Sequence, residues 1–569
     1  MWNIFFPLKK NIKTIIIIIA LLVLEAYFTL QLPEYTSKIV DIGIANGDIA
    51  YIYSAGTTMI MLTILATITG ILVSYFSCKV ASEYSYNLRI LLFSKVLNFS
   101  NHDLNNFSKG TLMTRTTDDV SRIQMIIEWV FDVIIFAPIM AIGGVIKTIK
   151  LGTNLYWIIL MILIIIIFFM ILLLKKSVPY LIILDKMPDI RGMVREIITG
   201  MGVIKTFVRE DYESKKFKKT NDEYKEKRDS IRKYILFLNP LMTLHSSIMI
   251  VSILYFGSYQ IEAGTILTGD LLAFIQYATQ IVSSILIIIS FAKTIPDVVL
   301  PIKRVKKVLD TELNIVDGEI GTIDERKSTI EFKNVSFKYP KSEKDTLTNI
   351  NFKLEPGKTV AIIGGIGSGK STILNLIPRF QDPTAGEILI NGENIKNLKL
   401  KTLRESISLS PQKPRIFKGT VKSNMTLSNP NASDENIRYA LEKANADFID
   451  SLDDEVLIEG SNFSGGQKQC LSIARSILKD ADFYLFDDSF SSFDLNTEKI
   501  IKNNLKELKD SSVLIASQRI STIKDADEIL VLDDGEIVDR GSHNRLVESC
   551  EIYREIVKSQ SDILNEGIL

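Results

Sequence analysis

A chain of 569 residues exceeds what a single hydrophobic core accommodates, so at least two domains are expected. Its 47% hydrophobic content and mean hydropathy of +0.20 are high for a wholly soluble protein and low for a wholly membrane-embedded one, which predicts one half of each kind. Lys and Arg total 66 and Asp and Glu total 66, so the basic excess of a nucleic-acid binder is missing and no nucleic-acid partner is expected.

Six apolar runs occupy the first half: residues 14–32, 55–78, 126–149, 157–174, 235–261 and 271–291. The fourth has 18 residues without a charge and as a helix reaches roughly 27 Å, close to the hydrocarbon thickness of a bilayer. Six membrane-spanning helices are therefore expected. Lys9, Lys10 and Lys13 precede the first run. Lys79, Arg89, Lys95, Lys109, Arg115 and Arg122 fill the segment after the second, and 175–234 is dense in Lys and Arg. The loop after the first run sets Lys38 against Glu34, Asp41 and Asp48. Basic flanks stay on the cytoplasmic side, so both ends of this half should face the cytoplasm. The first run lacks a small-residue cleavage site and more spans follow it, which argues against a signal peptide. In 79–128 and 175–234 the apolar residues recur at helical spacing among many charges, as in membrane helices that continue into the cytoplasm.

Ionisable groups within such runs need a cavity or a partner. Glu25 is expected either to meet a cationic substrate or to make a helix-packing hydrogen bond. Glu128 and Asp132, four residues apart, are expected on one solvated face near a helix start. His245 reads as a packing residue. The cysteines Cys78, Cys470 and Cys550 and the histidines His102, His245 and His543 are too scattered for a disulfide framework or a zinc site.

The mixed, charged stretch 297–328 precedes a change of pattern. Residues 329–339 alternate apolar and polar as a half-buried strand does, and 351–363 read strand–turn–strand about Pro356-Gly357. The expected division is a membrane domain at 1–305, a linker at 306–328 and a nucleotide-binding domain at 329–569.

Gly364-Gly365-Ile366-Gly367-Ser368-Gly369-Lys370-Ser371 fits G-x-x-x-x-G-K-[ST], between an apolar strand and a helical pattern opening at Thr372. Its glycines let backbone N–H groups turn to phosphate oxygens. Lys370 brings a full charge to the β- and γ-phosphates, and Ser371 an oxygen for Mg²⁺. Asp487 ends the apolar strand 483–487, which suits the second Mg²⁺-organising residue of a P-loop fold.

Ser464-Gly465-Gly466-Gln467 resembles the signature of ATP-binding-cassette (ABC) proteins. Tyr339 resembles the family's adenine-stacking aromatic. Gln412, after Ser410-Pro411, resembles the glutamine that senses the γ-phosphate and Mg²⁺, and Ser491-Ser492-Phe493-Asp494 the D-loop. In the membrane half, Phe107, Gly110-Thr111-Leu112, Arg115 and Asp118-Asp119-Val120 resemble the first cytoplasmic loop of the exporter type. Arg195-Glu196, Gly200 and 203–207, with Glu210 and Tyr212-Glu213, resemble the second. The resemblance implies an all-α six-helix transmembrane domain plus an α/β P-loop nucleotide-binding domain. It implies ATP and Mg²⁺ as ligands, with Ser371, Gln412 and Asp487 toward the metal and Thr372 beside the phosphates. It also implies a dimer in which each ATP lies between one chain's P-loop and the other chain's signature.

Two positions depart from the family pattern. Asp488 stands where the family has the glutamate that orients the attacking water, one methylene short. Gln518 stands where the switch segment has histidine, and an amide carries no proton or charge. Both changes beside an intact signature suggest a slow site in this chain and a partner subunit that supplies the competent residues. Cys470 replaces an arginine usual near the signature. The expected function is export of hydrophobic or amphipathic small molecules as half of a heterodimer, in a bacterial plasma membrane. The alternatives are a peptide or lipid exporter subunit, a siderophore importer on the same fold, a homodimer with two slow sites, and an ATP-sensing subunit that does not transport.

Overall fold

The computed structural model describes residues 11–566 apart from Ser108, Ile166, 169–170, 172–189, Phe237, 293–294, 324–328, Lys341 and 507–510. Contacts divide the chain into two compact units, residues up to 97 with 108–311, and residues 98–107 with those from 312 onward.

The first unit is helical. Helices α1 (Ile12–Ile44), α2 (Ile49–Leu97) and α3 (Gly110–Lys150) have 33, 49 and 41 residues. About 20 apolar residues suffice to cross hydrocarbon, and α2 at about 1.5 Å per residue is roughly 70 Å long, more than twice the slab. Helix α4 (Tyr156–Ile165) begins the fourth expected span, whose remainder lies partly outside the described residues. After α5 (Glu210–Leu236) come α6 (Leu238–Glu262), α7 (Thr268–Ala292) and α8 (Ile295–Leu309). Five of the described helices are long and apolar enough to cross a membrane.

Only 11% of the most apolar window of α2 is buried, and Ile60, Ile64, Ile68 and Ile71 stand exposed. So large an apolar surface is compatible with lipid and not with water. Among the described residues, inward-facing side chains pack around Ile158, Ile162, Met249, Ile253 and Phe274, and others around Ala26, Leu30, Met140 and Tyr277. The buried Tyr277 hydroxyl donates to the Leu30 carbonyl at 2.9 Å, the partner a polar group needs in such surroundings.

Glu25 faces Gly70, with its Oε1 3.1 Å from where a Cβ would stand. Glu128 and Asp132 do not form the expected solvated face. The helix runs through from Gly110, a π-helical turn at Val130–Ile135 begins between them, and one Asp132 carboxylate oxygen is buried without a hydrogen-bond partner. A π turn adds a residue to the local repeat and breaks i,i+4 spacing. His245 is buried. Gly110 and Arg195, from the two cytoplasmic-loop patterns, meet: a Cβ at Gly110 would overlap the Arg195 guanidinium.

The segment 98–107 belongs with the second unit. Ser100 and Asp103 form a capping box, and Asp103 also accepts from the Asn314 side chain at 2.5 Å. Burial works against the Asp103 carboxylate, but hydrogen bonds from Ser100 and Asn314 hold its pKa below the ordinary value.

The rest of the second unit is built on strands β1 (Ile330–Phe337), β2 (Leu347–Leu354), β3 (Thr359–Ile363), β4 (Ala385–Ile390), β5 (Glu393–Asn394), β6 (Ile407–Ser410), β7 (Gly419–Thr420), β8 (Glu455–Val456), β9 (Phe483–Asp487), β10 (Ser512–Ser517), β11 (Glu528–Asp533) and β12 (Glu536–Gly541). A six-stranded sheet has the order β12-β11-β3-β10-β9-β6, and a four-stranded sheet the order β2-β1-β4-β5. Strands β11, β3, β10, β9 and β6 pair in parallel. Their near-continuous apolar runs are what parallel strands covered on both faces require.

Candidate functional site

Four chain segments leave the parallel sheet side by side. The register pairs Ser517 with Ile363, Ala516 with Asp487, and Ser410 with Phe486. The residues that follow, Gly364, Gln518, Asp488 and Pro411-Gln412, therefore share the carboxyl edge of neighbouring strands. That edge is where open α/β sheets bind ligands.

The glycine loop between β3 and α9 (Lys370–Leu376) depends on missing side chains. A Cβ at Gly364 would collide with the Leu532 carbonyl, and Gly369 has φ +106° with Leu347 Cδ2 2.6 Å from its would-be Cβ. Gly365 and Gly367 face open space, and Ile366 is 92% exposed. Ser368 is buried. Lys370 is 8% exposed, and its ammonium donates to the Gly364 and Gly365 carbonyls at 2.8 and 2.7 Å. Burial lowers its pKa, and the charges of Asp488 and Asp487 oppose that.

The Ser371 hydroxyl donates to Asp487 Oδ1 at 2.8 Å. Burial raises the Asp487 pKa, the Ser371 hydrogen bond lowers it, and the Asp488 charge adds to the rise. Asp488 has φ +45°. Its N–H donates to the Ala516 carbonyl at 2.8 Å, and its own carbonyl accepts from the Ser491 hydroxyl at 2.9 Å. Gln412 Nε2 donates to Asp488 Oδ2 across a long 3.4 Å. Asp488 Oδ1 is buried with no hydrogen-bond partner. An orphaned carboxylate oxygen carries an uncompensated desolvation cost that a cation or a held water removes. With the oxygens of Ser371, Asp487 and Gln412 it makes a hard donor set of the kind Mg²⁺ takes, so these residues fit that ion.

Tyr339 comes to this edge as well: its hydroxyl lies 3.2 Å from Thr372 Oγ1, and its ring packs edge-on to Phe337 at 4.8 Å.

Ser464–Gln467 lie apart from this group. Among the described residues no hydrogen bond or ion pair joins them to the glycine loop. Ser464 caps α10 (Gly465–Leu478): its hydroxyl accepts from Gln467 N–H at 3.2 Å, while Gln467 Oε1 accepts from Ser464 N–H at 2.9 Å. No neighbour would obstruct a Cβ at Gly465, and the nearest to Gly466 is the Ser492 carbonyl, at 3.6 Å from a would-be Cβ. Cys470 is buried in the core below this helix, where burial pushes its thiol up to about 12. A small apolar contact is what the position provides here. Asp494 caps α11 (Leu495–Leu505), accepting from the N–H groups of Asn496 and Thr497 and the Thr497 hydroxyl. The Thr497 hydrogen bonds lower its pKa.

Two side chains outside the sequence-derived set hold the segment around Gln518. The Arg519 guanidinium donates to the Ser491 and Phe493 carbonyls at 2.7 and 3.0 Å. Gln560, on α12 (Glu551–Glu566), donates to the Gln518 carbonyl at 2.7 Å and accepts from Ile520 N–H at 2.8 Å. The available signal was a glutamine on the apolar stripe of an amphipathic helix.

Against family models, residues 15–285 match the ABC transporter transmembrane region and residues 347–491 the ABC transporter domain. The uncharacterized ABC transporter ATP-binding protein YfiB of Bacillus subtilis is 33% identical over 96% of this chain and 96% of its own length. A Staphylococcus aureus protein provisionally named a multidrug export ATP-binding/permease protein is 35% identical over 66% of each chain. The solved structure of a bacterial Atm1-family ABC exporter with ATP bound has a TM-score of 0.84 at 23% identity, covering 97% of this chain and 98% of that one.

Proposed function

The chain belongs to the ABC transporters, with the transmembrane region and the ATP-binding domain on one polypeptide, and from that premise we propose that it exports hydrophobic or amphipathic small molecules as one half of a heterodimer. As a member of this family it is a multi-pass membrane protein that binds and hydrolyses ATP to move a substrate. The proposal adds a bacterial plasma membrane, with the N-terminus and the ATP-binding domain cytoplasmic. It adds a division at 1–305, 306–328 and 329–569, and a slow ATP site in this chain. The name of the Staphylococcus aureus relative supports the substrate class.

The chemistry follows from the residues. The N–H groups around Gly365 and Gly367 face open space and can turn to the phosphate chain. Lys370 trades its bonds to the Gly364 and Gly365 carbonyls for phosphate oxygens. Ser371, Asp487 and Gln412 would hold Mg²⁺, which when bound neutralises charge on the β- and γ-phosphates. Asp488 is left to orient the attacking water with a carboxylate about 1.5 Å short of a glutamate's reach, and a misplacement of about 1 Å costs about a hundredfold in rate. Gln518 can donate one hydrogen bond to the γ-phosphate but adds no charge. Ser464 and the N–H groups of Gly465 and Gly466 stand at the start of α10, where they would meet an ATP held by a partner.

The observation that carries this reading is the pairing of an intact phosphate cradle with Asp488 and Gln518 on the same sheet edge. Steady-state ATPase of the full-length chain purified alone tests it. Expected is ATP binding with turnover at least about tenfold below that of the complex with its partner. Turnover by the lone chain at the rate of the complex would overturn the heterodimer.

A further inference from the structure

The side chain of Gln560 makes a two-point bridge to the backbone on either side of Arg519. Its Nε2 donates to the Gln518 carbonyl at 2.7 Å, and its Oε1 accepts from Ile520 N–H at 2.8 Å. A carboxamide both donates and accepts in a single plane, so it fixes the peptides by direction as well as distance. Arg519, between them, donates to the Ser491 and Phe493 carbonyls. The segment that carries the Gln518 side chain is thus held by both side chains.

The placement of Gln560 follows from its helix. Tyr553 is fully buried, and Ile556 and Val557 pack against the same core as Ile520, Ile523 and the P-loop strand residue Ile363. Residue 560 continues that stripe at helical spacing. An apolar residue would be expected there, yet the position carries an amide, and the amide spends both of its polar atoms on the switch backbone. Tyr553 anchors the helix further through a 2.7 Å contact of its hydroxyl with His543 Nδ1.

We propose that Gln560 is a positioning residue for ATP cleavage, setting where the Gln518 side chain stands relative to the γ-phosphate. The inference rests on the reading of Gln518 as the switch residue. Since both polar atoms of Gln560 are spent on the backbone at Gln518 and Ile520, its effect on cleavage passes through Gln518. Tilting the 518 peptide moves the amide at the end of a three-carbon side chain, and errors of about 1 Å there weigh heavily on rate. Affinity for ATP, set chiefly by the glycine loop and Lys370, stays.

The test is a double-mutant cycle on the full-length chain in lipid nanodiscs. ATP Kd and single-turnover cleavage are measured for wild type, Gln518→Ala, Gln560→Met and the double variant. Methionine keeps the length and apolar fit of the side chain and removes both hydrogen bonds, so the fold survives. Expected is about a tenfold slower cleavage for Gln560→Met with Kd within about twofold of wild type. The double variant should cleave no more slowly than Gln518→Ala alone. Gln560→Glu, which keeps the bond from Ile520 and loses the one to Gln518, should fall between. Wild-type cleavage in Gln560→Met, or losses that multiply in the double variant, would overturn the positioning role alone. An unaltered rate in Gln518→Ala would overturn the switch reading and this inference with it.

Discussion

Asp488 is a residue held against its own preference. A left-handed backbone at φ +45° costs an L-residue about 1–2 kcal/mol, although aspartate tolerates it better than most. Hydrogen bonds from its N–H to Ala516 and from Ser491 to its carbonyl hold it there, and such strain gathers at functional positions. The result is a carboxylate with one oxygen orphaned and the other loosely held by Gln412. Restoring reach and charge together, in Asp488→Glu with Gln518→His, should raise the ATPase of the full-length chain at least about tenfold. An unchanged rate would separate slow turnover from these two positions. Glycine spacing and a strand-ending aspartate are local patterns, which is why Gly364–Ser371 and Asp487 could be read from sequence. The orphaned Asp488 oxygen, and the bridge from Gln560 to a residue 42 positions earlier, are products of tertiary packing and leave no local trace beyond one polar residue on an apolar stripe.

Among the elements, α10 joins at one residue a helix cap and the proposed contact with a partner's ATP. Ser464 caps the helix and stands at its exposed start. Ser464→Ala should cost about 1 kcal/mol of stability through the lost cap and lower the thermal unfolding midpoint. It should also slow ATP cleavage by the complex while leaving ATP binding to this chain's own glycine loop intact. Loss of that binding instead would show that the signature and the loop are not independent elements. The helices of the membrane half were legible where they are long and apolar. Their π turns at Arg115–Asp119 and Val130–Ile135 were not, because hydropathy reports the mean period and not which carbonyl each N–H chooses. Asp132 was misassigned to a solvated face for that reason.

For the whole molecule, the asymmetry of basic flanks is the observation with the longest reach. It predicts that the turn between α1 and α2 lies outside the cell and segment 98–107 inside. In a Cys78→Ser background, Asn46→Cys should react with a membrane-impermeant maleimide in intact cells and Asn101→Cys only after lysis. The reverse pattern would invert the orientation. Composition revealed the two-part organisation because a lipid-facing surface and a water-facing one use different residues. Helical spacing among the charges of 79–128 carried the further expectation that the helices run on past the hydrocarbon, and α2 extends to Leu97. Helix α2, 49 residues without a break, is a stiff rod of roughly 70 Å, and pivoting it by about 5° carries its far tip some 6 Å, about the width of one aromatic ring. Leverage of that kind lets a slight tilt at one extremity open or shut a passage at the other without unwinding a single turn.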